Sequence, residues 1–372
     1  MNDILSTLAD LVRINSINPA YEGGVGEEEV AQYVEAFFAR RGIETWRQTV
    51  VPGRDNVIAR LPGSQPGRRI ILEAHMDTVS TTGMTIDPFD PVITDGKLYG
   101  RGSCDTKAGL ATMMHALAHL KERGITPPCE VWLAAVVDEE YTFLGVRKLC
   151  EDGLRADAAI VAEPTELRAV TAAKGVLRWH LRTRGKAAHS AKPHLGRSAI
   201  QDMAHVLRAL EEAIPTPAHP LLGPATLNVG LIRGGEQINF VPELCEIAID
   251  RRLLPGEDPQ SVWVATNARL AELPGITIEP DSPYLADGPL ETNPSEPAVL
   301  AAQNVLQSLG LDPAPAGVPF GSDASKLARA GIPSLIFGPG SIDRAHAAIE
   351  YVECDQVLTA FQFQLGFLQQ FH

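Results

Sequence analysis

The sequence has little that would support a disulfide-rich, membrane-spanning or nucleic-acid-binding protein. Its five cysteines, at 104, 129, 150, 245 and 354, are widely spaced and form no CxxC pair, which argues against a disulfide framework or a thiolate zinc site. No run of about 18 uncharged apolar residues occurs, so no membrane span is predicted. The formal net charge of −14 disfavours nucleic acid and anionic membrane as partners.

Several processing and catalytic motifs are also missing. The first residues, MNDILSTLADLVRINSINP, carry acids and resemble an amphipathic helix rather than a signal peptide, so we expect a soluble, cytoplasmic protein. There is no GxSxG with an ordered acid and histidine, no GxxxxGK[ST] loop, and no GxGxxG after a strand. A serine hydrolase, a P-loop enzyme and a dinucleotide oxidoreductase are therefore not expected.

The patterns of apolar residues predict two domains, as a length of 372 residues also suggests. In residues 1–175 and 287–372, short apolar runs alternate with helical patterns, which predicts an α/β domain with a mostly parallel sheet. Residues 176–286 begin with the alternating strand VLRWHLRTR and continue through a helix near 198–214 in the order β-α-β-β-α-β. This order is typical of a ferredoxin-like α+β domain, inserted here into the first.

Residues that can bind metal follow four predicted strands of the larger domain. Strand ends in an open α/β sheet gather ligands at one edge, so we expect these side chains to meet. They are His75, Asp77, Asp138, Glu139, Glu140, Glu163 and His346, and Asp105 lies in the loop YGRGSCDTKAG before a predicted helix.

This combination of histidines and acids predicts a metal centre. Neighbouring buried carboxylates repel one another unless they share protons or bind a cation. Imidazole and carboxylate ligands without a thiolate suit Zn²⁺, Co²⁺ or Mn²⁺ rather than Ca²⁺ or a structural zinc. Two ions about 3.5–4 Å apart can share one carboxylate and one water molecule.

Six segments carry a family resemblance that covers nearly the whole chain. They are AHMDTV, YGRGSCDTKAG, DEEYTFLG, VAEPTE, GKAAHSAKPHLGRSAI and GPGSIDRAHAAIEYV. In this order they resemble the zinc aminoacylase and carboxypeptidase metallopeptidase family, which includes acetylornithine deacetylases and succinyl-diaminopimelate desuccinylases. The resemblance implies a zinc-peptidase-like sheet flanked by helices, with residues 176–286 as a lid and dimerisation domain of a homodimer.

The resemblance also implies a ligand set for two divalent ions, zinc with cobalt or manganese as alternatives. His75, Asp105 and Glu163 would hold one ion. Asp105, Glu140 and His346 would hold the other, so that Asp105 bridges the two.

Further residues receive roles from the same resemblance. Asp77 would accept a hydrogen bond from His75 and so orient the imidazole. Glu139 would be the general base. His189 would stabilise the oxyanion from the partner subunit, and Arg252, with Asn239, would bind the substrate's free carboxylate.

Each of these residues has a structural alternative. His75 can be a hydrogen-bonded structural histidine, Glu139 and Glu140 a solvated acidic pair, and Asp105 the N-cap of the helix that follows. Turn or solvent-exposed positions would account for Asp77, Glu163, His346, His189, Arg252 and Asn239. The presence of all ligand segments together favours the metal interpretation.

The expected substrate is a small N-acyl amino acid or a short peptide. The segment FGSDASKLARAGIPSLIFGPGSIDRAHAAIEYVE looks most like that of acetylornithine deacetylases. Ile349 departs from the polar residue often found before the following glutamate, and Asp323 stands where related deacetylases vary between acidic residues. A di- or tripeptidase, or a broad aminoacylase, is the first alternative. An inactive binding protein with the same fold is the second.

Overall fold

The structure is a computed structural model, and it describes residues 2–211 and 218–372. In these residues the α-helices are α1 (Asn2–Arg13), α2 (Glu28–Ala39), α3 (Lys107–Glu122), α4 (Leu144–Glu151), α5 (Ala199–Glu211), α6 (Pro259–Ala271), α7 (Pro297–Ser308), α8 (Ala324–Arg329) and α9 (Cys354–Gln370). The strands are β1 (Glu44–Val51), β2 (Arg54–Leu61), β3 (Arg69–His75), β4 (Val92–Thr94), β5 (Lys97–Tyr99), β6 (Glu130–Val136), β7 (Ala158–Val161), β8 (Val170–Ala173), β9 (Gly175–Arg184), β10 (Ala188–His189), β11 (Thr226–Gly234), β12 (Phe240–Val241), β13 (Leu244–Leu253), β14 (Thr277–Pro280), β15 (Leu285–Asp287), β16 (Leu290–Glu291), β17 (Ala316–Val318), β18 (Ser334–Ile336) and β19 (Tyr351–Glu353).

The chain folds into two compact units. Unit 1 contains Met1–Thr171, Thr292–Ala316 and Ser322–His372, and unit 2 contains Ala172–Glu291 and Gly317–Gly321. The boundaries predicted from the sequence, 175/176 and 286/287, lie a few residues inside unit 2. The sequence prediction also assigns Gly317–Gly321 to the larger domain, whereas in the structure this segment belongs to unit 2.

Unit 1 is built on a mixed sheet with the strand order β1-β2-β6-β3-β7-β18. The strands β6, β3, β7 and β18 run parallel, whereas β1 and β2 form an antiparallel hairpin beside β6. The α/β fold class predicted from the sequence is confirmed. Because the parallel strands are covered on both faces, β6, β3 and β7 are almost continuously apolar rather than alternating.

Helices cover this sheet from both sides. On one face Ile70, Leu72 and Ala74 of β3 pack into a core shared with α1, α2, α3, α7 and α9. Helices α4 and α8 contact each other, and α8 also contacts β7 and β18. Because β6, β3, β7 and β18 run parallel, their carboxyl ends lie along one edge of the sheet. His75 is the last residue of β3 and lies at this edge.

Unit 2 has an antiparallel sheet with the strand order β11-β13-β9-β14, and β15 also pairs with β9. The chain order β9-α5-β11-β13-α6-β14 is the predicted β-α-β-β-α-β order. Leu177, Trp179 and Leu181 on one face of β9 pack into a core with residues of α5 and α6. The predicted helix near 198–214 corresponds to α5, and its predicted end lies outside the described residues.

Among the helices of the described residues, none is both long enough and apolar enough to cross a membrane.

Candidate metal centre

Side chains from four separate segments of unit 1 converge on one cluster. Possible ligand atoms of His75, Asp105 and Glu140 lie within 4.8 Å of one another, and so do those of His75, Glu139 and Glu163. These two groups share His75, whereas the sequence prediction shared Asp105 between the two ions. The cluster nevertheless brings these five predicted residues together.

Asp105 lies between two imidazole rings. Its Oδ1 is 3.0 Å from Nε2 of His75, and its Oδ2 is 3.2 Å from Nε2 of His346. The same nitrogen of His346 is 3.1 Å from Oε1 of Glu140. The two oxygens of Asp105 thus point to different histidines, an arrangement that a carboxylate bridging two cations requires.

The end of β3 orients His75. Its Nδ1 donates a hydrogen bond of 2.9 Å to the backbone carbonyl oxygen of Asp77, which leaves Nε2 for the cluster. The sequence prediction named Asp77 as the acceptor without specifying the atom; Oδ1 of its carboxylate is 3.6 Å from Nδ1. The carboxylate instead accepts the backbone N–H groups of Glu139 and Glu140, at 3.1 and 3.2 Å.

The loop that carries Asp105 is fixed by a buried ion pair. Oε1 of Glu350 accepts the backbone N–H groups of Cys104 and Asp105, at 3.0 and 3.1 Å, and its Oε2 accepts from Arg101 at 2.5 Å. Helix α3 begins after this loop with Thr106 as its N-cap residue, so Asp105 does not cap it. The sequence prediction assigned no role to Arg101 or Glu350, although Glu350 lies within the EYVE segment after His346.

Burial makes it costly to ionise all the acids of the cluster together. Burial, and then the charge of Asp105, raise the pKa of Glu163 well above its ordinary value. Burial also raises the pKa of Glu139, despite the nearby imidazole of His75. Burial opposes ionisation of Asp105 as well, but hydrogen bonds from His346 and His75 outweigh it and lower its pKa.

The donor set of the cluster fits divalent cations. Its six side chains, His75, Asp105, Glu139, Glu140, Glu163 and His346, supply four carboxylates and two imidazoles. Burial, together with repulsion between the acids, raises the pKa values of Glu139 and Glu163, and a bound cation would offset both effects because it favours the charged carboxylates. Imidazole with carboxylate is a ligand combination of zinc, cobalt and manganese sites.

Three predicted residues belong to unit 2. His189 is exposed, and its Nδ1 accepts the N–H of Ala191 at 3.1 Å. Asn239 is an exposed turn residue whose backbone oxygen accepts the N–H of Ser190 at 2.9 Å. Arg252 pairs with Asp250 of its own strand, with Nε 2.9 Å from Oδ1. Their predicted roles in substrate binding and catalysis stay predictions.

Comparison with known proteins shows the family of this chain. Residues 71–370 match the family described as Peptidase family M20/M25/M40. An acetylornithine deacetylase of Myxococcus xanthus is 32% identical over 340 residues, which is 88% of this chain and 87% of the relative.

Solved structures share the fold. The aminopeptidase PepT of Bacillus cereus superposes with a TM-score of 0.83 at 22% identity, over 99% of this chain and 98% of the other. A dinuclear metal-binding peptidase of the M20 family from Bacillus subtilis gives a TM-score of 0.74 at 18% identity, over 99% and 97% of the two chains. With the family's sequence pattern extending across the metal-capable cluster from β3 to α9, this chain is a member of the M20/M25/M40 peptidase family.

Proposed function

We propose that this chain is a two-metal amidohydrolase that removes the acyl group from an N-acyl amino acid, with N-acetylornithine as the first candidate substrate. The observation that carries the proposal is the position of Asp105 between the imidazoles of His75 and His346, with Glu139 and Glu140 in the same cluster. The similarity to an acetylornithine deacetylase over most of the chain supports this choice of substrate.

In this proposal the residues of unit 1 hold two divalent ions. His75, Asp105 and Glu163 bind one, and Asp105, Glu140 and His346 bind the other. Zinc is the first candidate, with cobalt or manganese as alternatives. When bound, the ions supply Lewis acidity to the amide carbonyl and lower the pKa of water towards about 7.

Glu139 moves the proton. Its carboxylate takes a proton from the attacking water and returns it to the leaving nitrogen, as a general base that becomes a general acid. Burial, which raises its pKa, favours the form that carries this proton between the two steps. A group with an ordinary carboxylate pKa would hold the proton less well near neutral pH.

Unit 2 supplies the remaining groups in this proposal. His189 donates to the developing oxyanion, a contribution of about 2.7–4 kcal/mol for one such donor. The guanidinium of Arg252, with Asn239, binds the substrate's free carboxylate. Units 1 and 2 would then be the catalytic domain and the lid and dimerisation domain.

A homodimer is part of this proposal, and one feature of unit 2 supports it. Strand β11 lies at the end of its sheet, and among the described residues no strand pairs with its outer edge. Leu231 and Ile232 on this strand are 59% and 56% exposed. An exposed apolar edge strand is a ready pairing site for a second chain. The cytoplasmic location stays a prediction.

A substrate panel tests the proposed activity. The metal-loaded protein is assayed with N-acetylornithine, other N-acetyl amino acids, and di- and tripeptides, and release of acetate or of free amino acid is measured. Rapid release of acetate without cleavage of peptides supports the proposal. Peptide cleavage without release of acetate shows a peptidase instead, and no turnover of any amide by protein with two bound ions would show an inactive relative.

A further inference from the structure

The turn after β6, which carries Glu139 and Glu140, is held through its backbone by two buried acids. The N–H of Asp138 donates to Oε1 of Glu27 at 3.2 Å. The next two N–H groups donate to the carboxylate of Asp77, at 3.1 and 3.2 Å. Three consecutive backbone donors are therefore occupied, and the direction of both glutamate side chains depends on where these two acids lie.

The amide of Asn18 adds a second link between this turn and the segment after β3. Nδ2 of Asn18 donates to Oδ2 of Asp77 at 2.7 Å and to Oδ1 of Asp138 at 3.0 Å, so that both of its protons are used. Asn18 is fully buried, and its own backbone N–H donates to the carbonyl of Thr78 at 2.9 Å. Asn18 thus joins the two segments that present His75 and Glu139 to the cluster.

Arg54 provides a positive charge for two of the buried acids, Glu27 and Asp138. Its Nε and Nη2 donate to the two oxygens of Glu27, at 2.9 and 2.5 Å, and its Nη1 donates to Oδ1 of Asp138 at 2.9 Å. Glu27, Asp77 and Asp138 are each no more than 1% exposed. Buried carboxylates of this kind are stable only when donors satisfy them, and removing one donor leaves a charge without a partner.

We propose that Asn18 and Arg54 are positioning residues. The amide of Asn18 holds the carboxylates of Asp77 and Asp138 together, the guanidinium of Arg54 holds Glu27 and Asp138 together, and both thereby place Glu139 and Glu140 for proton transfer and metal binding. This inference rests on the proposed function for the roles of the two glutamates. Removing a side chain that hydrogen-bonds to a metal ligand commonly lowers metal affinity or activity about 10–100-fold. All the side-chain atoms that Nδ2 of Asn18 contacts are acceptors, so its donors, and not only its volume, matter.

Two substitutions separate the donor groups from the volume of Asn18. Asn18→Ala removes both, whereas Asn18→Asp keeps the shape but places a third carboxylate between Asp77 and Asp138. Thr292→Val is the control, because Thr292 is also buried and loses one hydrogen bond, of 2.6 Å to the carbonyl of Ser334, without touching the cluster.

The readouts are metal binding and steady-state kinetics of the full-length protein. Cobalt(II) is titrated into the metal-free protein, and binding is followed by the visible absorption of the ion and by calorimetry. We expect both Asn18 variants to bind the second cobalt ion about 10–100-fold more weakly and to lose a similar factor in kcat. The KM should change less than kcat, since the network contacts Glu139 and Glu140 rather than Arg252. Asn18→Asp should be no better than Asn18→Ala, and Thr292→Val should match the parent.

Other results would overturn the inference. If Asn18→Asp matches the parent while Asn18→Ala is impaired, Asn18 acts by filling space. If Thr292→Val loses as much cobalt affinity as the Asn18 variants, the effect is general destabilisation.

A further variant covers the case in which the Asn18 variants do not fold. Arg54→Lys keeps the charge but loses the paired contacts to Glu27, and it should show the same weakened second site. An unchanged second site in this variant contradicts the inference. If the parent binds two cobalt ions but hydrolyses no amide, the proposed function fails, while the cobalt titrations still decide the positioning role.

Discussion

Replacing Glu139 with glutamine is the sharpest perturbation of the proposed chemistry. The side chain keeps its size and its place on the turn, but it can no longer take a proton from water. Glu139 is 8% exposed and lies in the cluster with His75 and Glu163. A general base contributes about 10²–10⁴-fold to a rate, so kcat should fall by that factor, or about 2.7–5.4 kcal/mol in the barrier.

The same substitution should stabilise the metal-free protein near neutral pH. The pKa of Glu139 is raised by burial, so the folded state holds its proton above the pH at which the unfolded chain releases it. Such a group lowers the free energy of unfolding as the pH rises above its ordinary pKa of 4.5, and glutamine removes that loss. A large fall in kcat with a higher Tm at pH 7 therefore marks a catalytic group.

The assay compares kcat, metal content and Tm of Glu139→Gln with those of the parent. Glu166→Gln is the matched control, because Glu166 is an exposed glutamate on the loop after β7 and should behave like the parent. Near-normal turnover in Glu139→Gln refutes its role as the base. Loss of both ions together with a lower Tm would instead make Glu139 a ligand.

Three further predictions concern Asp105, His189 and Asp323. Asp105→Asn should lose tight binding of both ions, measured as metal per chain after dialysis, and retention of two ions would show that Asp105 is not the bridge. If His189 acts across a dimer, mixing inactive Glu139→Gln subunits with inactive His189→Ala subunits should restore up to about a quarter of the parent activity, because each mixed dimer then holds one complete site. Activity of the mixture that never exceeds that of the separate variants would contradict this role of His189. Burial raises the pKa of Asp323 from 3.8 to about 6. Ionising this carboxyl group in the folded protein therefore lowers the free energy of unfolding by about 3 kcal/mol, and this loss develops as the pH rises from 4 to above 6. Asp323→Asn should therefore gain stability relative to the parent over this range in urea unfolding at several pH values, and a constant difference would contradict the shift.

The sequence predicted the α/β fold class because its evidence is local. Apolar runs such as those of β3, β6 and β7 mark buried parallel strands, and the alternation of β9 marks a strand with one exposed face. Most of the metal-capable residues were also visible, since His75, Glu139, Glu140 and Glu163 lie at or just after the end of such a strand. These features need no knowledge of distant contacts.

The contacts behind the cluster were not predictable in this way. The sequence suggested that Asp77 orients His75, but not that its backbone carbonyl accepts the hydrogen bond while its carboxylate accepts N–H groups of the Glu139 turn. Asn18 and Arg54 reach that turn from segments about 120 and 84 residues away. A lone asparagine in a loop, like Asn18, or an arginine at the start of a strand, like Arg54, carries no periodic or motif signal, so only the fold reveals its partners.

The central claim is that folding brings His75, Asp105, Glu140, Glu163 and His346 around a pair of cations. Anomalous diffraction at the zinc absorption edge, from crystals of the zinc-loaded protein, tests it most directly. Two peaks per chain are expected, both within coordination distance of Asp105, one beside His75 and Glu163 and the other beside Glu140 and His346. A single peak, or two peaks bound by other residues, would contradict it.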